Sequence, residues 1–487
     1  MFINACFACT GQREFYSDAA GQRVSIDFLH RYILGNYRRL YARTLAAGIN
    51  HFNQAQIILN LLATGRDTPA RDRPEENALI TRALAALPPQ RAYRLFEALR
   101  DRRVNNRRTR ALIRAYVGAR RDLVFDAVKY RSRLRTAAAH AHLGLAGEIG
   151  SFLFQGLNKR RFSTELLETY RQAHFSKDAV YRLPYTIAEG LAVKHRIPRD
   201  QFLAGIADRM TAGEKLRLQR EAARREVALD FDLARAALTR LCIYITALAP
   251  AERKHRADEL SDALDRSAAR AFRRTPYRLG RVAAVLDRSY SSSGTSDKRR
   301  RPLAVAMAGA YLLRHAASEF RALWTPRIDP DLAGAAGADA HFMATPGGQT
   351  ELARPLLEAL KWSPELVVII SDGYENTPPG ATTQLVRAFR DRVPGAGAIS
   401  IVHLNPVFDV DHFAPKALGP DLPTVGIRDA EDLLTMLGFA RFAEGSAPLH
   451  ELEGYLGART AQLLADDGPQ LPADDGGRPP ADDGGRS

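Results

Sequence analysis

The chain has 487 residues, 46% of them apolar, and carries 70 Lys and Arg against 55 Asp and Glu, a formal net charge of +15. That length and apolar content exclude a wholly disordered or fibrous chain and leave room for two or three domains. The charge is uneven, because residues 1–280 hold 50 basic and 28 acidic side chains whereas 281–487 hold 20 and 27; a basic half suited to a polyanionic partner is joined to a mildly acidic one.

In chain order, the segment from Met1 to Cys9 has no preceding basic stretch and runs into Arg13 and Glu14, which makes it a poor signal peptide and predicts a cytoplasmic protein. Cys6, Cys9 and Cys242 are too few for a disulfide framework, and no further Cys or His follows the Cys6-x-x-Cys9 pair at zinc-site spacing; ordinary apolar thiols are expected. The longest apolar run, Leu241 to Ala249, is about half of what a membrane span needs, so no membrane association is expected.

From about residue 20 to 275 the pattern is helical. Pro74-Glu75-Glu76 opens a segment whose Leu79, Ile80, Ala83, Leu84 and Leu87 share a stripe, and Pro88-Pro89 closes it, the usual punctuation of a helix. Asn53 to Ala63 ends at Gly65, Pro198 precedes a segment running to Met210, and a long Ala/Arg/Leu-rich stretch covers Glu214 to Leu248. Short amphipathic helices in succession bury their stripes by stacking, which predicts an all-helical, HEAT-like repeat solenoid over 1–278. No fixed sequence period is present. Residues 101–135 hold twelve Lys or Arg against three Asp, with Tyr116, Phe125 and Tyr130 interleaved. On a helix from Thr109, Arg103, Arg107, Arg110 and Arg114 line one face. Such arginine rows match phosphate oxygens and the rings offer stacking faces, so this stretch is the candidate RNA surface.

Beyond 280 the periodicity changes. Arg281–Leu286, Glu365–Ile370 and Ala398–Val402 are short, nearly continuous apolar runs separated by helical stretches at Pro302–Phe320, Glu351–Leu360 and Thr382–Arg390. This predicts a doubly wound α/β domain with a mostly parallel sheet over 279–450. The last residues repeat Ala-Asp-Asp-Gly at 465–468, 473–476 and 481–484 in a Pro/Gly/Asp background, so 464–487 reads as a disordered acidic tail.

Ligands of an open α/β sheet bind at the C-terminal ends of its strands. The first strand runs into Asp287-Arg-Ser289-Tyr-Ser291, a glycine-rich loop presents Thr350, and the strand ending at Ile370 delivers Ser371-Asp372-Gly373. Two carboxylates with three hydroxyls make a hard-oxygen set suited to Mg²⁺, or alternatively Mn²⁺. This constellation resembles the metal-ion-dependent adhesion site of a von Willebrand factor A domain. The resemblance implies that Asp287, Ser289, Ser291, Thr350 and Asp372 contact the metal directly or through water, and that a partner's carboxylate completes the coordination. Two departures are a longer, polar first loop, Ser292 to Asp297, and Gln349 between Gly348 and Thr350. A hydrolytic use of the site lacks a second metal cluster and a positioned base; no nucleophile elbow, zincin, phosphate-loop or dinucleotide fingerprint occurs, so the chain is not expected to be an enzyme.

A second resemblance covers roughly 20–445. Thr109-Arg-Ala-Leu-Ile-Arg-Ala-Tyr116, Phe125-Asp-Ala-Val-Lys-Tyr-Arg-Ser-Arg133 and Ala139-His-Ala-His142-Leu resemble the TROVE domain of the Ro ribonucleoprotein family. Leu433-Leu-Thr-Met-Leu-Gly-Phe439 resembles the end of that family's A domain, and the domain order is the same. The resemblance implies a monomer with a ring of helical repeats whose outer surface binds small structured RNA of the Y type and whose hole takes single-stranded ends of misfolded non-coding RNA. An exoribonuclease such as polynucleotide phosphorylase, or an RNA ligase, is the implied protein partner. Lys129, Arg133 and His142 carry over as RNA contacts, with His140 as the rival of His142, and Arg110 and Arg114 join them from the charge pattern. The alternative reading is a metal-dependent protein-binding adaptor without an RNA role.

Overall fold

The computed structural model describes residues 1–155, 157, 161–274, 278–328, 340–442 and 448–466. Two compact units result. One contains Met1–Asn36, Gly48–Asn53 and Met210–Tyr455; the other contains Tyr37–Ala47 and Gln54–Arg209, with Leu456 onward.

The first unit is built on a five-stranded sheet in the order β2-β1-β3-β4-β5, with β1 Leu279–Asp287, β2 Ala317–Thr325, β3 Leu366–Ile370, β4 Ser400–Asn405 and β5 Thr424–Gly426. All four pairings are parallel. Parallel neighbours require crossovers, and the helices Arg301–Ala316, Ala353–Lys361 and Ala381–Arg392 provide three of them. On one face, Ala283, Val285, Val367 and Ile369 pack with Leu352, Leu356, Leu360 and Val386. On the other, the Arg301–Ala316 helix comes so close that a Cβ on Gly309 would lie 2.5 Å from Ile370 Cδ1. Helices cover both faces, as the continuous apolar runs of β1 and β3 require.

The Arg301–Ala316 helix is buried on nearly every side because the helices Leu238–Ala247 and Ala257–Arg274 pack against it as well. The division into units therefore departs from the boundary expected at 278/279: residues 210–274 cluster with the sheet. So does the amino terminus, whose helix Phe2–Ala8 packs on β5. Cys6, Cys9 and Cys242 are buried free thiols, and burial pushes Cys9 up to about 12.

Two strands differ from the sequence reading. The helix expected to run to Phe320 ends at Ala316, and the chain passes directly into β2. Glu319 and Arg321 are exposed there, so β2 is a polar edge strand whose apolar alternation is weak and whose pairing with β1 decides the conformation. β5, three residues long, is too short for a periodic signal. The Ala/Arg/Leu-rich stretch over Glu214–Leu248 holds two α-helices, Ala212–Ala223 and Leu238–Ala247.

The second unit is helical throughout its described residues. Among its helices are Arg73–Ala86, Pro89–Asp101, Arg107–Gly118, Leu123–Lys129 and Arg131–His140. The Arg107–Gly118 helix starts where the Asn106 side chain accepts from the Thr109 amide, and Asp122 caps the next one through the Phe125 amide. The expected acidic tail lies, from residue 467 on, outside the described residues.

Candidate functional site

In the strand order 2-1-3-4-5 the direction of winding reverses between β1 and β3, and a crevice opens at their C-terminal ends. Asp287 is the last residue of β1 and Asp372 lies just beyond β3; both are buried. The two following loops are folded by these carboxylates. Asp287 Oδ1 accepts from the Ser289 amide at 2.7 Å, and Asp372 Oδ1 accepts from the Tyr374 amide at 3.1 Å. Ser289 and Ser291, buried too, share a hydrogen bond between their hydroxyls at 3.2 Å. The glycine-rich loop is held between the other two: the Tyr290 amide donates to the Gly348 carbonyl, and the Asn376 and Thr377 amides donate to the Thr350 carbonyl.

The Ser371–Gly373 turn is fixed from behind. Asn405, at the end of β4, donates to the carbonyls of Asp372 and Lys416, each at 3.0 Å. Gly373 has φ +78°, and a Cβ there would lie 2.4 Å from the Lys416 carbonyl oxygen, so only glycine fits. His403 bonds Ser371 at 2.9 Å and Thr424 at 3.0 Å; burial lowers it to about 4, making it a neutral strut.

The electrostatics identify what the crevice lacks. Burial, and then for Asp287 the charge of Asp372, raises Asp287 well above the ordinary carboxylate range, and burial raises Asp372 as well. Neither forms an ion pair among the described residues, and no cluster of three or more His, Cys, Asp or Glu groups is present there. Two buried carboxylates with no ion pair among the described residues are costly unless a proton or cation joins them. With the adjacent hydroxyls, the donor set is all hard oxygen and fits a small divalent cation. Sequence reasoning missed four neighbours, Tyr374, Lys416, Asp409 and Tyr16. Tyr374, two residues past Asp372, has its ring 3.5 Å from Lys416 Nζ and donates to Asp409 at 2.9 Å. Tyr16 comes 3.9 Å from the Tyr374 ring. A tyrosine following Ser-Asp-Gly was a local signal; nothing in the sequence joins residue 16 to residue 372.

The basic stretch 101–135, in the helical unit, separates into two groups. Seven of its side chains are occupied. Arg108 pairs with buried Glu76, Arg120 with buried Asp126, and Arg133 with Glu97 at 2.8 Å. Arg102 bonds Asn60, and Arg131 bonds the Phe152 carbonyl. Arg114 donates to the Ala141 and His142 carbonyls at the end of the Arg131–His140 helix. Lys129 lies over the rings of Phe125 and Tyr130. The remaining five, Arg103, Arg107, Arg110, Arg121 and Arg135, have no hydrogen bond or ion pair among the described residues, and all but Arg110 are exposed.

Several candidate contacts change meaning on this basis. Arg114 works as a helix C-terminal cap and Arg133 as an ion pair, because both face neighbouring helices. His140 bonds the Val104 carbonyl at 3.0 Å, whereas His142 is exposed with φ +50°. Tyr116 is not a stacking face: it is buried against Tyr93 and Phe96.

No protein-family model matches the sequence, and no curated protein matches it. Among solved structures the chain is similar to the Ro (RSR) protein of Deinococcus radiodurans, at 15% identity and a TM-score of 0.40 over 80% of this chain and 91% of that one. No helix among the described residues is long and apolar enough to cross a membrane.

Proposed function

We propose that the chain is a non-catalytic RNA-binding scaffold of the Ro type, whose helical unit takes small structured RNA and whose α/β unit holds one divalent cation, Mg²⁺ or Mn²⁺. The observation that supports RNA is the group of five arginines without partners among the described residues, in a stretch whose other cations are all engaged. Unpaired guanidinium groups are free to bind phosphate oxygens bidentately and release counterions as they do. Exposed His142 and ring-bound Lys129 border the same helices. Single-stranded ends of misfolded non-coding RNA, and an exoribonuclease or RNA ligase acting on them, complete the reading in the cytoplasm; these rest on the sequence resemblance.

In the α/β unit Asp287, Ser289, Ser291, Thr350 and Asp372 would hold the cation. It would neutralise the carboxylate pair and offer an open coordination position to a protein partner. The chain's own residues fix the loops through backbone amides, keep His403 neutral and exclude bulk water from the crevice floor.

The experiment is to purify the protein at moderate salt with Mg²⁺, extract the nucleic acid that accompanies it, and sequence it beside an Arg107→Glu/Arg110→Glu control. A discrete small structured RNA that is depleted in the control is the expected result. Protein free of RNA, with no affinity for structured or single-stranded RNA at low salt, overturns the reading and leaves the metal-dependent adaptor.

A further inference from the structure

The segment between the first two helices, residues 9–18, crosses the mouth of the carboxylate crevice, and both its ends are anchored. At its start, the Asn50 and Asn53 side-chain amides donate to the Cys6 and Cys9 carbonyls at 2.8–3.1 Å. At its end, Gln22 donates to the Ser17 hydroxyl at 2.6 Å and to the Phe408 carbonyl at 3.0 Å, and Asp18 caps the helix Ala19–Asn36 through the Gly21 amide. Between these anchors the segment folds on itself through Glu14 and Ser17 and contacts the loops of the site. Thr295 donates to the Arg13 carbonyl at 3.1 Å, and Glu14 and Lys298 form a buried ion pair. Phe15 meets Tyr290 edge-on at 6.2 Å, and Tyr16 lies on Tyr374 at 3.9 Å. Tyr290 stands between Ser289 and Ser291, and Tyr374 is two residues past Asp372, so the two aromatic contacts touch the loops bearing the candidate ligands. The Tyr16 hydroxyl feels the charges of Asp372 and Asp287 and the Ser291 hydroxyl.

We infer that residues 13–17 are a displaceable cover over the metal site, so that any carboxylate ligand, such as that of an acidic peptide segment, must move Tyr16 aside to reach the cation. The inference rests on the metal reading above. The contacts are graded for release. Glu14 and Lys298 are buried, whereas Phe15 and Tyr16 are 36% and 44% exposed, so the tip leaves first and the Glu14–Lys298 pair opens after it. A neutral phenol is a poor ligand for a hard cation and a carboxylate a good one. Lys416, whose ammonium lies over the Tyr374 ring and whose charge acts on Asp372, adds attraction for an incoming anion and none for a phenol.

The probe is the blocked tripeptide acetyl-Gly-Asp-Gly-amide, titrated into Mn²⁺-loaded protein. Binding is read by water-proton relaxation, and strap opening by the rate of trypsin cleavage after exposed Arg13. Tyr16→Ala is expected to bind the probe at least fivefold tighter than wild type while its Mn²⁺ affinity changes less than twofold. In the wild type, saturating probe is expected to raise cleavage at Arg13 at least threefold, with no such rise in Asp372→Asn. Equal probe affinity in wild type and Tyr16→Ala, with unchanged cleavage, overturns the cover and leaves the metal site standing. If wild type and Tyr16→Ala both fail to bind Mn²⁺, the metal reading fails and the cover falls with it. Should Tyr16→Ala not fold, the cleavage measurement on wild type decides alone.

Discussion

The carboxylate crevice and the basic helices both concentrate one sign of charge, yet they do so by opposite physics. Asp287 and Asp372 are buried, lack an ion pair among the described residues and are fixed by backbone amides. Their positions follow from where two strands end. The arginines of 101–135 lie at the helix surfaces, and whether each is free or occupied is settled by whichever neighbour comes near: Arg114 meets carbonyls 141 and 142, Arg133 meets Glu97, and Arg107 has no side-chain partner among the described residues. A buried site is thus a property of the backbone, whereas a surface site is what remains after internal pairing.

The sharpest way to break this contrast is at the crevice. Asp372→Ala is expected to lower Mn²⁺ affinity at least a hundredfold, measured by electron paramagnetic resonance, and to leave RNA affinity unchanged; loss of both would show that the two charge systems are one. Burial also acts on His30, which bonds Asn53 at 3.0 Å and is lowered by burial to about 4 from an ordinary 6.5. Because the unfolded state binds the proton more tightly, this group's contribution is complete above pH 6.5 and is lost as pH falls towards 4. The loss is on the order of 3 kcal/mol, at roughly 1.4 kcal/mol per pKa unit. Denaturant titrations at pH 7 and pH 4.5 should show a stability drop in the wild type that is smaller in His30→Gln.

On the helical unit, Arg107→Glu/Arg110→Glu should weaken binding of a structured RNA about tenfold or more at 0.1 M salt without changing the melting temperature, as filter binding beside a thermal melt would read. Arg133→Glu sharpens the comparison from the other side. It places two glutamates together where a partly exposed ion pair stood, so a stability loss of up to about 1 kcal/mol is expected, with a smaller effect on RNA than the double variant.

The same contrast explains what was legible in the sequence. β1, β3 and β4 announce themselves because strands covered on both faces must be apolar throughout, and the residues just beyond them are then the site by topology alone. β2 hides because as an edge strand it exposes Glu319 and Arg321. The membership of residues 1–36 and 210–274 in the sheet unit depends on which side of the Arg301–Ala316 helix remains to be covered, and no local pattern encodes that. Tyr116 reads as an interleaved aromatic by spacing, but its burial against Tyr93 and Phe96 is a tertiary fact. Tyr16 lies far from the crevice in sequence and reaches it only because both ends of its segment are clamped.

The most direct test of the central claim is the salt dependence of RNA binding. For wild type, log affinity for a small structured RNA should fall linearly with log salt, and Arg107→Glu/Arg110→Glu should reduce the slope by about 1 to 2, since each phosphate neutralised contributes roughly 0.7 to 0.9. An affinity independent of salt, or a slope unchanged in the double variant, would contradict the assignment of the unpaired arginines as the RNA surface.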